Sequence, residues 1–254
     1  MKKTVISEDF VQHADFLHAI PNLFVKGQGE TIYCKRNEIR RFTHQGQVFI
    51  VKRYKKVNIL QRFVYTFFRP TKAKRAYSFA QEFRQRGIDT PREVAYMETG
   101  NWRLFSIGYF VSLEAKGTES HLLLREVEHY SAALAEAVAR QVVLMHSRGV
   151  LHGDLNLSNF LCTTTCCLPS DSVVTGDSPE HYSFQMIDIN RSHFTDGWPT
   201  DEQCLANMVR LTHRRDLYED LVRRYAALRG WDTDATAQRA LTLLDRFEHR
   251  RIKL

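Results

Sequence analysis

No stretch of this 254-residue sequence approaches the roughly eighteen uninterrupted apolar residues that a membrane-crossing helix needs, so a conventional transmembrane span is excluded. The opening run Met1-Lys2-Lys3-Thr4-Val5-Ile6-Ser7-Glu8-Asp9 passes from basic to acidic without an apolar core, which argues against a secretory signal and for a cytoplasmic protein. Glycine and proline are sparse, 12 and 6 residues, so no repeat array or low-complexity tail is expected. Cysteine is sparse as well, with 5 in all. Cys162, Cys166 and Cys167 lack CxxC pairing and a nearby histidine at finger spacing, and free thiols are the expectation. Acid is almost missing from one region: residues 52 to 86 carry eleven Lys or Arg and the single acid Glu82.

What remains is an ordinary globular composition, 43% hydrophobic and 26% charged, long enough for one large domain or two lobes sharing a cleft. The formal charge of +7 is concentrated in the basic region, where Phe63, Tyr65, Phe67 and Phe68 are interleaved with Lys55, Lys56, Arg62 and Arg69. Such a surface suits phosphate-bearing lipid as well as nucleic acid, and composition alone does not choose.

The chain is organised around His152-Gly153-Asp154-Leu155-Asn156-Leu157-Ser158-Asn159-Phe160. Asp154 and, five residues on, Asn159 have the spacing of a kinase catalytic loop. There the Asp accepts the proton of the attacking hydroxyl and the Asn helps hold a metal ion on the nucleotide phosphates. Alone, an Asp and an Asn in a polar turn serve equally as backbone caps. The reading gains from Phe184-Gln185-Met186-Ile187-Asp188-Ile189-Asn190, an apolar run ending in a second Asp where a kinase places its main metal ligand. Upstream, Val48-Phe49-Ile50-Val51-Lys52 has the form of the strand whose lysine pairs with nucleotide phosphates.

In chain order, residues 8 to 24 read as a short helix or docking segment ahead of Pro21. Strands are expected at 31–34, 38–42 and 48–52, then a helix from Lys72 to Arg86 stopped by Gly87, then strands at 94–97 and 104–111. That makes a five-stranded sheet with one helix, with a hinge near Leu113 and Glu114. No G-x-G-x-x-G occurs; the turn Cys34-Lys35-Arg36-Asn37 either faces phosphate or is an ordinary hairpin. One helix is predicted over 121–148, with Leu124, Val127, Leu134, Val138, Val142 and Met145 on its core face. An elaborated hairpin follows, its tip exposed around 169–179, and then helices over about 201–213, 214–229 and 233–250. No Ala-Pro-Glu segment is present, and fewer than seventy residues follow Asp188.

From about Thr31 to the last helix the chain resembles the lipopolysaccharide kinase family, the Kdo and core-heptose kinases of Gram-negative bacteria. The matching pieces are Arg36-Asn37-Glu38-Ile39, Val51-Lys52, Lys72-Ala73-Lys74-Arg75-Ala76-Tyr77, Gly87-Ile88-Asp89-Thr90-Pro91, His152-Gly153-Asp154 with Asn159, and Ile187-Asp188-Ile189-Asn190-Arg191. The resemblance implies an α+β, protein-kinase-like two-lobed fold, with an antiparallel N-terminal sheet plus one helix over 1–113 and a reduced, mainly helical lobe over 114–254. It implies transfer of the γ-phosphoryl of ATP, with Mg2+, to an inner-core sugar hydroxyl of a lipid-linked saccharide. The protein is then peripheral on the cytoplasmic face of the inner membrane, touching anionic lipid through basic residues 52–86. Carried over by residue, Asp154 is the catalytic base, Asn159 and Asp188 are the metal ligands, Lys52 is the phosphate-pairing cation and His152 braces the loop. Gly153 stands where regulated protein kinases often keep an Arg.

One departure matters. The family tends to pair the strand lysine with a Glu at the position of Ser78; Glu82, one helical turn on, shares its face and is the available substitute. A nucleotide-binding pseudokinase scaffold and a kinase for another small molecule are therefore the alternatives. A nucleic-acid partner is not expected, and the sequence leaves the oligomeric state open.

Overall fold

The computed structural model describes residues 2–35, 37–54, 58–101, 104–126, 130–166 and 180–252. The chain divides into two compact units, Met1–Gln85 with Thr90–Ala115, and Arg86–Asp89 with Lys116–Leu254.

The first unit is built on an antiparallel sheet of β1 (Lys2–Ile6), β2 (Glu30–Cys34), β3 (Glu38–His44), β4 (Gln47–Arg53), β5 (Glu93–Asn101) and β6 (Leu104–Leu113), in the order β1-β5-β6-β4-β3-β2. The five strands expected from sequence are there. The sixth, β1, was hidden by its opening pair of lysines: those positions are exposed, and register with β5 from Lys2↔Thr99 to Ile6↔Ala95 makes the strand. Side chains alternate across the sheet. On one face Phe42, Phe49, Val51, Met97, Tyr109 and Val111 pack against Leu17, Ile20 and Phe24 of α1 (Ala14–Val25). This helix runs through Pro21 instead of ending before it. Burial of three large apolar side chains outweighs the one backbone hydrogen bond that proline removes.

Two more helices belong to this unit, α2 (Ile59–Phe67) and α3 (Lys72–Gln85). Ala73 and Tyr77 of α3 cover the opposite sheet face with Tyr54 and Tyr96, and Phe110 packs against them. The Tyr77 and Tyr96 rings lie 5.3 Å apart. The expected turn residue Arg36, and Lys55 and Lys56, fall outside the described residues.

The second unit begins with β7 (Thr118–Glu119) and α4 (Ser120–Leu123), followed by α5 (Ala132–Ser147) and β8 (Val150–Leu151). The single helix expected over 121–148 is thus two. The Leu124 amide bonds Ser120 O to close the first piece, and Ser131, in an extended conformation, starts the second by accepting from the Leu134 amide at 3.2 Å. The leucines of 122–124 extended the apolar pattern past a real boundary. Val127 lies outside the described residues.

Next come β9 (Phe160–Cys166) and β10 (Glu180–Met186), paired from Cys166↔Glu180 to Phe160↔Met186. This is the hairpin expected from sequence; its tip is outside the described residues. The remaining elements are β11 (His193–Phe194), paired with β8, α6 (Asp201–Met208), α7 (Arg215–Leu228) and α8 (Thr233–Ile252). A capping box of Thr200 and Gln203 starts α6. Helix α7 packs on both α5 and α8, and its Tyr218 and Tyr225 are fully buried. Among the described residues no helix is long and apolar enough to cross a membrane.

Candidate active site

The loop after β8 is fixed by its own polar groups. His152 is fully buried, and its Nδ1 accepts from the Asp154 amide at 3.1 Å. An accepting Nδ1 puts the proton on Nε2, which donates to Ile187 O at 3.0 Å. Burial pushes the His152 pKa down, against the pull of the nearby Asp188 and Asp154 carboxylates, so the ring is neutral. Asn159, also buried, donates its Nδ2 to Asp154 O at 2.8 Å. The Ile187 amide donates to Asn159 O at 3.0 Å. Two hydrogen bonds at Ile187 therefore bind the segment carrying Asp154 and Asn159 to the segment carrying Asp188.

Asp188 is exposed and adopts φ +54°, the left-handed region that costs a non-glycine residue about 1–3 kcal/mol. Asn190 Nδ2 donates to Asp188 Oδ1 at 2.8 Å and steadies the carboxylate. Among the described residues no three His, Cys, Asp or Glu side chains gather as a self-sufficient metal cage. Asn159 spends its amide nitrogen on Asp154 O, which leaves its side-chain oxygen as a hard donor, and the Asp188 carboxylate follows directly on Ile187, whose amide bonds Asn159 O. One or two oxygen side chains completed by phosphates and water is how Mg2+ is usually held, so the donor set fits that ion.

Behind the loop runs a chain of hydrogen bonds that are buried at His146 and Tyr225 and part-buried elsewhere. Arg229 donates to Tyr225 Oη at 2.7 Å, and that hydroxyl donates to His146 Nδ1 at 2.9 Å. His146 Nε2 donates to Asn207 Oδ1 at 3.2 Å, and Asn207 Nδ2 donates to His152 O at 2.8 Å. Burial drops the His146 pKa to about 4, so it is neutral and can alternate donor and acceptor along this chain. The Leu157 amide is held separately by Leu211 O at 2.9 Å.

Asp154 is one-third exposed and lies at a cavity of about 820 Å³, the size of sites for drug-like ligands. Arg210, following α6, reaches across this cavity and places Nη1 3.2 Å from Asp154 Oδ1.

In the first unit, Lys52 sits on β4 opposite Phe110 of β6, on the sheet face covered by α3. On α3, Ser78 is exposed and Glu82 half-buried. Tyr54, two residues on, places its ring 5.7 Å from Lys52 Nζ.

A model of the lipopolysaccharide kinase (Kdo/WaaP) family matches residues 35–228. The chain belongs to this family. It is accordingly a kinase, a phosphotransferase acting on a sugar hydroxyl in lipopolysaccharide synthesis. A solved structure of WaaP in complex with acyl carrier protein shares the fold, with a TM-score of 0.61 and 20% identity, covering 99% of this chain and 98% of that one. The Rio2 kinase of Chaetomium thermophilum, solved as an ADP/Mg2+-phosphoaspartate complex, aligns at a TM-score of 0.47 and 15% identity over 94% of this chain and 76% of that one. No curated protein matches in sequence.

Of the residues singled out in this lipopolysaccharide kinase from sequence, Asp154, Asn159 and Asp188 are gathered at the Ile187 junction. Asn207, His146 and Arg210 were not singled out. The first two sit among apolar neighbours and look like core or surface positions on their helices. Arg210 stands in the run Arg210-Leu211-Thr212-His213-Arg214-Arg215, whose density of basic residues, beginning 22 residues after Asp188, was the available signal.

Proposed function

We propose that this kinase transfers the γ-phosphoryl of ATP to a Kdo or heptose hydroxyl of a lipid-linked inner-core saccharide, at the cytoplasmic face of a Gram-negative inner membrane. The observation that carries the reading is the Ile187 junction, which locks the proposed base, Asp154, and the proposed metal ligands, Asn159 and Asp188, into one hydrogen-bonded frame.

Asp154 would take the proton of the acceptor hydroxyl as its oxygen attacks the γ-phosphorus and the bond to the leaving ADP breaks. Lys52 would pair with the nucleotide phosphates. Glu82 is its proposed carboxylate partner, because exposed Ser78 cannot supply the charge and Glu82 is the half-buried acid of the helix on that sheet face. Asn159 and Asp188 would hold a Mg2+ ion, which would supply charge neutralisation for the transferring phosphoryl. The rest of the frame positions groups and holds them rigid. Incubation with γ-labelled ATP and lipopolysaccharide lacking core phosphate tests the reading: label in the saccharide, dependent on Mg2+, is expected. Nucleotide binding with no transfer to any lipid or sugar acceptor would establish the scaffold instead.

Contact with anionic lipid through residues 52–86 is part of this proposal, and α2 supports it by being inside out. Its polar side bonds inward: Arg62 Nε donates to Phe105 O at 2.9 Å, and Thr66 Oγ1 accepts from the Phe105 amide at 2.9 Å. Its apolar side faces out, with Leu60 71%, Phe67 62% and the adjoining Phe68 73% exposed. Residues 53 to 75 hold eight Lys or Arg and no acid, which complements phosphatidylglycerol. The double variant Phe63→Asp, Phe67→Asp should bind mixed phosphatidylethanolamine and phosphatidylglycerol vesicles on the order of 100-fold more weakly in a flotation assay, from two lost aromatic insertions. Unchanged flotation, with loss of self-association in the variant, would mark the face as a contact between copies.

A further inference from the structure

The cavity beside Asp154 has a chemistry of its own. It is bounded by the catalytic-loop candidate, by the segment after α6 and by α8, and all of these lie in the second unit. Among its charged and titratable lining residues, Arg125, Arg210, Arg214 and His213 stand against the acids Asp154 and Glu248, and Arg210 is the one in contact with Asp154. The arginines differ in how they are placed. Arg214 is tied down by Leu124 O at 2.9 Å, Arg125 O at 3.1 Å and Asp216, while Arg125 is 69% exposed and paired with its own neighbour Glu126 at 3.3 Å. Arg210 instead lines the open space with its guanidinium over the Phe247 ring at 5.2 Å and Asp154 as its carboxylate.

That ion pair is easily exchanged. The Arg210 and Asp154 side chains are 47% and 33% exposed, and pairs so wet contribute little to stability. A guanidinium offers a planar fork suited to carboxylate or phosphate, and stacking on an aromatic ring keeps that fork oriented. An anionic group entering the cavity thus meets a preoriented cation whose present partner is weakly held.

We propose that this cavity is the acceptor subsite and that Arg210 reads a carboxylate or phosphate on the acceptor sugar, turning from Asp154 to that anion as the sugar enters. The exchange does two things at once. It selects acidic sugars over neutral ones, and it uncovers Asp154 Oδ1 for the incoming hydroxyl. Without the anion, Arg210 stays across the base. The use of the subsite rests on the kinase reading above, whereas its anion selectivity can be measured without turnover.

Calorimetric titration of the nucleotide-free protein with free Kdo, with heptose 7-phosphate and with neutral heptose separates carboxylate, phosphate and uncharged sugar. Wild type should prefer one or both anions. Arg210→Ala should weaken anion binding at least tenfold and leave neutral heptose unchanged, with Arg210→Lys between. Asp154→Asn, which removes the competing carboxylate, should tighten anion binding several-fold, an effect that loss of a merely structural contact would not produce. In steady-state assays the larger part of the Arg210→Ala defect should fall on KM for the acceptor. Equal affinity of wild type and Arg210→Ala for the anions, or weaker binding by Asp154→Asn, overturns the proposal. Selective anion binding without phosphoryl transfer would uphold the subsite and sink the kinase reading instead.

Discussion

Asp154→Asn is expected to cut phosphoryl transfer by roughly 10²- to 10⁴-fold, the range for loss of a positioned general base, while thermal stability stays near wild type. The two effects separate because of how the loop is built. Its geometry depends on backbone and neighbouring side chains of this segment: the Asp154 amide on His152 Nδ1, Asn159 on Asp154 O, and the Ile187 amide on Asn159 O. The Asp154 carboxylate takes part in none of these. Its bond is to Arg210, an exposed pair worth about 0–1 kcal/mol. The amide of Asn keeps the size of the carboxylate and can still accept a hydrogen bond from Arg210, so the substitution removes the basicity and the charge that holds Arg210 while leaving the fold in place. Transfer from γ-labelled ATP, measured alongside a melting curve, checks both halves. A variant retaining more than about a tenth of wild-type turnover would remove Asp154 from the role of base, since that lies well above the floor for such losses.

Gly153→Ala should cost about 10²-fold in kcat, with a modest loss of stability, although it alters no group that touches substrate. A Cβ at position 153 would overlap the main-chain carbonyl of Arg191. That carbonyl belongs to the tight turn after Asp188, closed by the Ser192 amide on Ile189 O at 3.0 Å. Backbone cannot step aside as a flexible side chain can, so the two segments must separate. One carries Asp154 and the other Asp188, and a displacement near 1 Å between reacting groups is worth about two orders of magnitude. Overpacking adds about 1–3 kcal/mol of destabilisation. Wild-type turnover in this variant would mean that the two segments need not be held in close register. The same contact explains why no Arg of the regulated-kinase kind stands at 153: there is no room for any side chain.

Much of this was readable from residue order. The hairpin of β9 and β10, the helices after residue 200 and the apolar run into Asp188 announce themselves by local pattern, which period and turn chemistry report well. Strand β1 did not, because only its pairing with β5 makes Lys2 to Ile6 a strand. The break between α4 and α5 was concealed by leucines that continue the helical period across it. Glycine 153 looked like the absence of a regulatory arginine, whereas its cause is a carbonyl 38 residues later in the chain. The support behind the loop was out of reach for the same reason: His146, Asn207 and Tyr225 sit on three different helices, and nothing local couples them.

The relay from Arg229 through Tyr225, His146 and Asn207 to His152 ties the catalytic-loop candidate to the last turn of α7 and its C-cap. Every member is either a donor or an acceptor that its neighbour requires, so the relay has no partial form. During synthesis, the loop leaves the ribosome some seventy residues before the groups that hold it are available. If this loop carries the base, competence to move a phosphoryl group would follow only once the last third of the chain has folded, and a chain clipped ahead of α7 is expected to be inactive.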